Sequence, residues 1–377
     1  MSISLRSVIP ENYADTYSQN DNIDFVLSFP NEVLNLGSVR LEGELVVVNG
    51  NPQEYLNSDA NKVLDICLDP LVGAHSLCES IQTEVLGSII ENCSGLPRFH
   101  KMRMAATIDA TDTNNAQYAC ELKAPFRTMT NRLLRGEVPI TQLTDVLREN
   151  PDFSIKPDIA LNSVPGQLPY RRSGDIRVSV NLARTAQIFH GQDVSLGANG
   201  VNYAIRDFRL TYTTYPDDGS MNDPIQMRTK VLVKQSVNSR LANNSSKVPG
   251  IVDAVSVSFI EQSNVNVPQV NTLQLARPPN VEELMLNFND STNKAISFVI
   301  RDNVETIGLY LNSFGANHSH NSMSVAKQNA NNGFGIGLDF GAAIDMRMSK
   351  FSSQMISGVV GANAYTMSLY FHSSVSL

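Results

Sequence analysis

The sequence has no tryptophan, no CxxC pair and no long apolar run, and each absence removes a class of protein. Without tryptophan the large stacking platforms favoured by glycan-binding modules are missing. Without paired CxxC spacings there is no zinc-ribbon or dithiol redox signature, and Cys67, Cys78, Cys93 and Cys120 read as buried free thiols. No run approaches the roughly 18 apolar residues of a helical membrane span, and the N-terminal MSISLRSVIPENYADTY has no apolar signal core, so synthesis in the cytoplasm without a signal peptide is expected. The patterns GxSxG, GxxxxGK[ST], HExxH and the EF-hand loop are all missing. No catalytic, cofactor-binding or metal site is therefore assigned, and the chain is not expected to be an enzyme. The triplets at Asn92, Asn243, Asn244, Asn289 and Asn317 fit a glycosylation pattern, but in an Asn-rich chain without an export signal they read as accidents of composition.

Charge is also sparse. Charged residues make up 18% of the chain and the net charge is -8, with 18 Lys/Arg against 25 Asp/Glu in residues 1–216 and 11 against 12 in residues 217–377. Neither half has the basic excess of a polyanion binder, so no specific nucleic-acid binding is expected. A chain of 377 residues is long enough for two domains with their own cores.

What is present is strand periodicity, organised about a seam at 201–237. In VNYAIRDFRLTYTTYP, Phe208, Leu210 and Tyr212 alternate with Arg209, Thr211 and Thr213, the period of a half-buried strand. Pro216, Gly219 and Pro224 stop it before MRTKVLVKQSV begins anew. The C-terminus closes in the same way, with Tyr365, Met367, Leu369 and Phe371 alternating with polar neighbours. Two closing strands imply two barrels. In the first half, Ile23 to Phe29 reads as the first strand, and Val39, Leu41, Gly43, Leu45 and Val47 as an inward face opposite Arg40, Glu42 and Glu44. Leu77 to Val85, Lys156 to Asn162 and Gly174 to Leu182 supply further strands, while 97–106 and 141–150, with Ile140, Leu143 and Leu147 on one face, predict helices in a long inserted loop. In the second half strands are predicted at 231–237, 255–260, 284–288, 296–300, 334–340 and 365–371, with a helix over 303–313. The two halves match in pattern, not in sequence.

Three constellations invite a chemical reading. His318 and His320 form HSH, but the glutamate that a cupin metal site needs is missing, since the next acid is Asp339; a solvated loop is the simpler reading. Gly335, Gly337 and Gly341 in GIGLDFG lack the strand–turn–helix setting of a dinucleotide fingerprint and read as glycines within a strand. Two basic clusters, Arg98, His100, Lys101 and Arg103 beside Phe99, and Arg127, Arg132 and Arg135, read as solvated or intersubunit salt-bridging groups.

Tandem barrels of eight short strands, a mixed loop inserted in the first and no catalytic motif resemble the double jelly-roll major capsid proteins of tailless membrane-containing bacteriophages, adenoviruses and virophages. The resemblance is one of layout and spans residues 20–377. Its local carriers are NDNIDFVLSFP, LDPLVGAHSLCESIQTEV and the aromatic strand that closes the first roll. It implies an all-β fold of two consecutive eight-stranded jelly rolls with short helices in inserted loops. The expected divisions are an N-terminal arm at 1–19, a first roll at 20–216 with its insertion at about 97–150, a linker at 217–227 and a second roll at 228–377. It further implies a homotrimer whose six rolls form a pseudo-hexameric capsomer in an icosahedral virion shell. The implied partners are neighbouring capsomers, penton or minor capsid proteins, and an internal membrane reached through the arm. A viral spike or carbohydrate-binding tandem β-sandwich is the alternative.

Overall fold

The computed structural model describes residues 3–49, 67–69, 71–107, 152–190, 201–220, 223–248, 250–265, 267, 269–289, 295–301, 304–315, 334–347 and 350–377. The helix expected at 141–150, the HSH pair at His318 and His320, Arg127, Arg132, Arg135 and Cys120 lie outside the described residues.

The first half carries strands β1 (Ser4–Val8), β2 (Tyr17–Ser18), β3 (Asn22–Leu27), β4 (Glu32–Leu36), β5 (Arg40–Asn49), β6 (Cys67–Leu68), β7 (Cys78–Val85) and β8 (Ser88–Ser94). Helix α1 (Leu96–Thr107) follows, then β9 (Asp152–Ile155), β10 (Gly166–Pro169), β11 (Ile176–Leu182), β12 (Phe189–His190) and β13 (Val201–Pro216). The second half carries β14 (Gln226–Val237), β15 (Leu241–Ser246), β16 (Ile251–Glu261), β17 (Glu283–Asn289), β18 (Ala295–Arg301), α2 (Val304–Ser313), β19 (Ile336–Asp345), β20 (Phe351–Ile356) and β21 (Tyr365–Ser376).

Strand pairing makes the two halves topologically equal. In the second half the sheets run β14-β21-β16-β19 and β15-β20-β17-β18. Counted from one to eight along the chain, these are orders 1-8-3-6 and 2-7-4-5, two Greek-key sheets forming a jelly roll. In the first half β13 is the hub. Leu210 and Thr211 pair with Val8 and Ser7 and also with Leu41 and Arg40, so β1 and β5 lie on opposite edges of β13. Thr214 pairs with both Ser4 and Leu34, which places β4 on the β5 side. The broken strand β1–β2 is therefore strand one, β4–β5 strand three, and β9 with β10 strand six, while β3-β11-β7-β8 supplies the second sheet. The order is again 1-8-3-6 and 2-7-4-5. A short β6–β12 ribbon stands apart.

This corrects the arm. The segment 1–19 is expected to be an N-terminal arm outside the first roll, yet β1 and β2 are the outermost strand of that roll, held by β13 of the same chain. The segment was hard to read because the strand is split and largely exposed, with Leu5 74% accessible. A strand expected at Lys156 to Asn162 is also displaced. The sheet segment is β9, and Pro157, which has no N–H to give a ladder, takes the chain out of the sheet into a 3-10 turn at Ala160–Asn162.

Inside the hub strand the inward parity changes. Tyr203 and Ile205 face the core on odd positions, Phe208, Leu210 and Tyr212 on even ones, and a register shift between Arg206 and Arg209 separates the two sets. Asp207 takes a positive φ of 49 at this bulge. Gly43 lies against it: a Cβ there would come within 3.0 Å of the Arg206 carbonyl oxygen and the Ile205 side chain. The bulge keeps a 16-residue strand inward-facing along its length.

Each roll has its own core. Phe25, Phe29, Leu41, Leu45, Val178, Val180, Tyr203 and Tyr212 are among the buried residues of the first. In the second, Phe288 is fully buried, with ring centroids of Phe340, Phe351, Phe298 and Phe371 at 5.0, 5.2, 6.0 and 6.3 Å. Among the described strands none joins a sheet of the other half.

Candidate functional site: the buried seam between the rolls

The two cores are joined by a third. Helix α1, from the first half, begins after Gly95, whose φ is +66 and whose missing Cβ leaves room for Leu232 and the Tyr370 hydroxyl, each 2.9 Å from where that Cβ would sit. Pro97 occupies the first turn, where a missing N–H costs nothing. The helix then buries Phe99, Met102, Ala105 and Ala106 against Leu275, Tyr310, Leu311 and Tyr370 of the second half. Two tyrosines fasten it: Tyr370 Oη donates to the Gly95 carbonyl and Tyr310 Oη to the Met102 carbonyl, each at 2.8 Å. Of the glycines in GIGLDFG, Gly337 and Gly341 lie within β19 as expected, whereas Gly335 stands just before it, and the role of Gly335 and Gly337 is steric. Cβ atoms there would lie 2.5 Å from the Tyr310 ring and 2.3 Å from Ser313 Oγ, so the glycines let α2 lie directly on β19.

The basic cluster Arg98, His100, Lys101 and Arg103 belongs to this seam, and here the expectation of solvated or intersubunit groups is overturned. Lys101, 3% exposed, pairs with Asp69, 1% exposed, and Asp69 also accepts a bond from Asn271 Nδ2 of the second half at 2.7 Å. His100 Nδ1 lies 2.6 Å from Asp158 Oδ2, Arg103 bonds the other oxygen at 2.8 Å, and the His75 ring stacks on His100 at 3.8 Å. Arg98 donates to the Thr272 and Gln274 carbonyls. In return, Lys230 of the second half reaches Glu91 at 3.5 Å, donates to the Asp158 carbonyl and lies 4.7 Å from the centroid of the Phe99 ring. At the far end Arg172 bonds the Leu377 carbonyl, and Met227 enters the first core.

Burial and charge oppose each other in this network. Burial alone works against the Asp158 carboxylate, but Arg103, His100 and Lys230 together hold it well below the usual range. Asp69 is likewise lowered, with burial outweighed by Lys101, Asn271 and the Leu71 N–H. Glu91 goes the other way, because its burial exceeds what Lys230 and the Ala160 N–H return. Lys230 is raised: burial disfavours the ammonium, and Glu91 and Asp158 more than offset it. His372 bonds Ser256 Oγ at 2.8 Å and is pushed down to about 3 by burial and by Lys230 and Arg228.

Chemically the seam is a lock. Ser256 is fully buried, so its contact with His372 has none of the access a nucleophile needs. Among the described residues no group of three or more His, Cys, Asp or Glu is placed to hold a metal ion. Cys78 and Cys93 are buried free thiols with pKa values pushed up to about 12 by burial, which makes them inert at neutral pH. Sequence reasoning found the α1 half of the lock through its basic run. It missed Asp69, Glu91, Asp158 and Lys230, single charges scattered over 160 residues with no local signature; the one hint is Lys230 interrupting the strand MRTKVLV.

A chain with two jelly rolls of one topology, packed through a buried and charge-paired seam, is a tandem jelly-roll protein. No family model matches the sequence, and no curated protein matches it. Solved structures do. The fold is similar to the Faustovirus major capsid protein, with TM-score 0.64 at 7% identity over 100% of this chain and 90% of that one. It is similar to the quasi-atomic model of the PBCV-1 virus capsid, with TM-score 0.59 at 9% identity over 100% and 94%. It is also similar to the mavirus major capsid protein, with TM-score 0.50 at 11% identity over 99% and 90%. The fold these structures share with the chain is a double jelly roll, as the layout of the sequence implied.

Proposed function

We propose that the chain is a major capsid protein, a structural subunit of which three copies form a pseudo-hexameric capsomer that paves a virion shell. The observation that carries this reading is the pairing of two topologically equal rolls into one body. A trimer of such bodies presents six similar rolls around an axis, which lets a three-fold unit fill six-fold positions of a shell. Similarity to viral capsid proteins over the whole chain supports it. The domains are then the two rolls, the first beginning at Ser4 and the second near Gln226, with a short link between them.

The outer faces fit a role in association. On the 2-7-4-5 sheet of the second roll the outward residues Asn243, Ser245, Asn287, Ser352 and Gln354 are uncharged hydrogen-bonding groups, and exposed Leu241 and Val299 and the Glu283–Arg301 ion pair share the face. Such groups suit symmetric contacts that are matched rather than strongly steered. Neighbouring capsomers, and penton or minor capsid proteins at the special positions, are the partners this reading gives, with the virion as the location. The test is native mass measurement of the purified chain at micromolar concentration. A three-copy species is expected; a monomer under every folding condition, with binding to a glycan panel, would replace this reading by the binding-module one.

A further inference from the structure

Asp69 stands between two nitrogens from different rolls. The same carboxylate oxygen, Oδ2, receives Lys101 Nζ of α1 and Asn271 Nδ2 of the second half, the latter at 2.7 Å. The other oxygen, Oδ1, is held by the Leu71 N–H at 2.9 Å, which fixes the carboxylate plane. The Asn271 amide oxygen accepts the Leu273 N–H at 3.0 Å, so its carbonyl is polarised by a backbone donor. Leu71 and Met102, chain neighbours of this group, belong to the apolar cluster of the seam, and both Asp69 and Lys101 are buried. A buried amine, a half-buried carboxamide, a buried carboxyl group touching both nitrogens and an oxyanion donor are the parts of an amide-forming reaction.

We propose that Lys101 and Asn271 condense autocatalytically into an intramolecular isopeptide bond that ties the two rolls covalently. Asp69 takes a proton from the Lys101 ammonium, leaving a neutral amine. The Nζ lone pair attacks Asn271 Cγ, and the carbonyl electrons move onto Oδ1, where the Leu273 N–H receives them. Asp69 returns its proton to the departing Nδ2 and takes the second proton from Nζ. The Cγ–Nδ2 bond breaks, the carbonyl re-forms, and ammonia leaves with the proton held by Asp69, as ammonium. The products are one Lys101 Nζ–Asn271 Cγ amide, one ammonium ion and Asp69 as carboxylate; nothing is oxidised or reduced. The link closes a loop of about 170 residues across the seam, the kind of long closure that most restricts an unfolded chain. This proposal is independent of the capsid reading.

Intact mass spectrometry of the purified full chain, followed by peptide mapping, tests it. The wild type is expected to be lighter than its sequence by one ammonia, with a branched peptide joining Lys101 to Asn271. Lys101→Arg keeps the charge pair with Asp69 but cannot form the bond, so it is expected to show the full sequence mass while melting as a folded protein; Asn271→Ala is expected to show its own full mass. Wild type at full sequence mass after prolonged incubation at neutral pH would overturn the proposal, and so would an ammonia loss that maps to any other residue.

Discussion

Replacing Lys230 by methionine would remove the second-roll ammonium that reaches Glu91 and the Asp158 carbonyl of the first roll, with little change in side-chain length. In the wild type, Lys230 serves Glu91, 3% exposed, and the Asp158 carbonyl, and it is itself 5% exposed. Removing one partner of a buried pair leaves a desolvated charge and typically costs 3–5 kcal/mol. Here the loss is limited because Glu91, already raised by burial, can protonate. A cost of about 3 kcal/mol at pH 7 is therefore expected. The raised Lys230 contributes stability that is present below its unfolded value and is lost only as pH rises through its folded one, so the wild type keeps this contribution at neutral pH. In the variant Glu91 is protonated more readily still, so its deficit relative to wild type should shrink as pH falls from 7 to 5. Adding Glu91→Leu should recover part of the loss, since it removes the stranded carboxylate, although the Ala160 N–H then loses its acceptor. Urea unfolding followed by circular dichroism at the two pH values measures all three proteins. A Lys230→Met variant within about 0.5 kcal/mol of wild type at pH 7 would refute the view that this pair locks the rolls.

Further perturbations address other levels of the structure. Phe288→Asp places a charge among four phenylalanines and should prevent the second roll from folding, read as loss of a cooperative melt, whereas Phe288→Ala should cost about 3–5 kcal/mol in urea unfolding. Gly43→Ala drives a methyl against the Arg206 carbonyl and should cost about 1–3 kcal/mol by the same assay. Deleting residues 1–18 removes strand one of the first roll, so the truncated chain should be digested by trypsin far faster than the intact one; equal resistance would return the segment to the status of an arm. His372 binds a proton in the unfolded chain below 6.5 but in the folded one only near 3, so its contribution falls as pH drops through that window. Asp69 and Asp158 add to the loss below about pH 4 as they protonate, and Glu91 acts oppositely above its unfolded value of 4.5. The melting temperature of His372→Gln should therefore depend less steeply on pH between 6.5 and 4 than that of the wild type.

The double roll was legible where strands alternate without interruption, as in Ile176–Leu182 and Tyr365–Ser376. It was illegible where the sheet is polar or broken. Leu241–Ser246, sequence LANNSS, forms six pairs with Phe351–Ile356 but carries one buried apolar side chain, so periodicity gives no warning of it. The split strand at residues 4–18 fails for the same reason. The seam was less legible than the fold because its residues are united only by topology. Asp69 follows β6, Glu91 lies in β8, Asp158 follows β9 and Lys230 lies in β14, and no local pattern connects them. Even the basic run of α1, which did stand out, pointed to solvent by composition; only the neighbouring acids show that it faces inward.

If the chain is a shell subunit, electron microscopy of the purified protein, concentrated until it associates, should show hexagonal sheets or closed shells in which each repeating block resolves into three chains and six upright rolls. Dispersed single chains at every concentration and salt condition that preserves the fold would contradict that role.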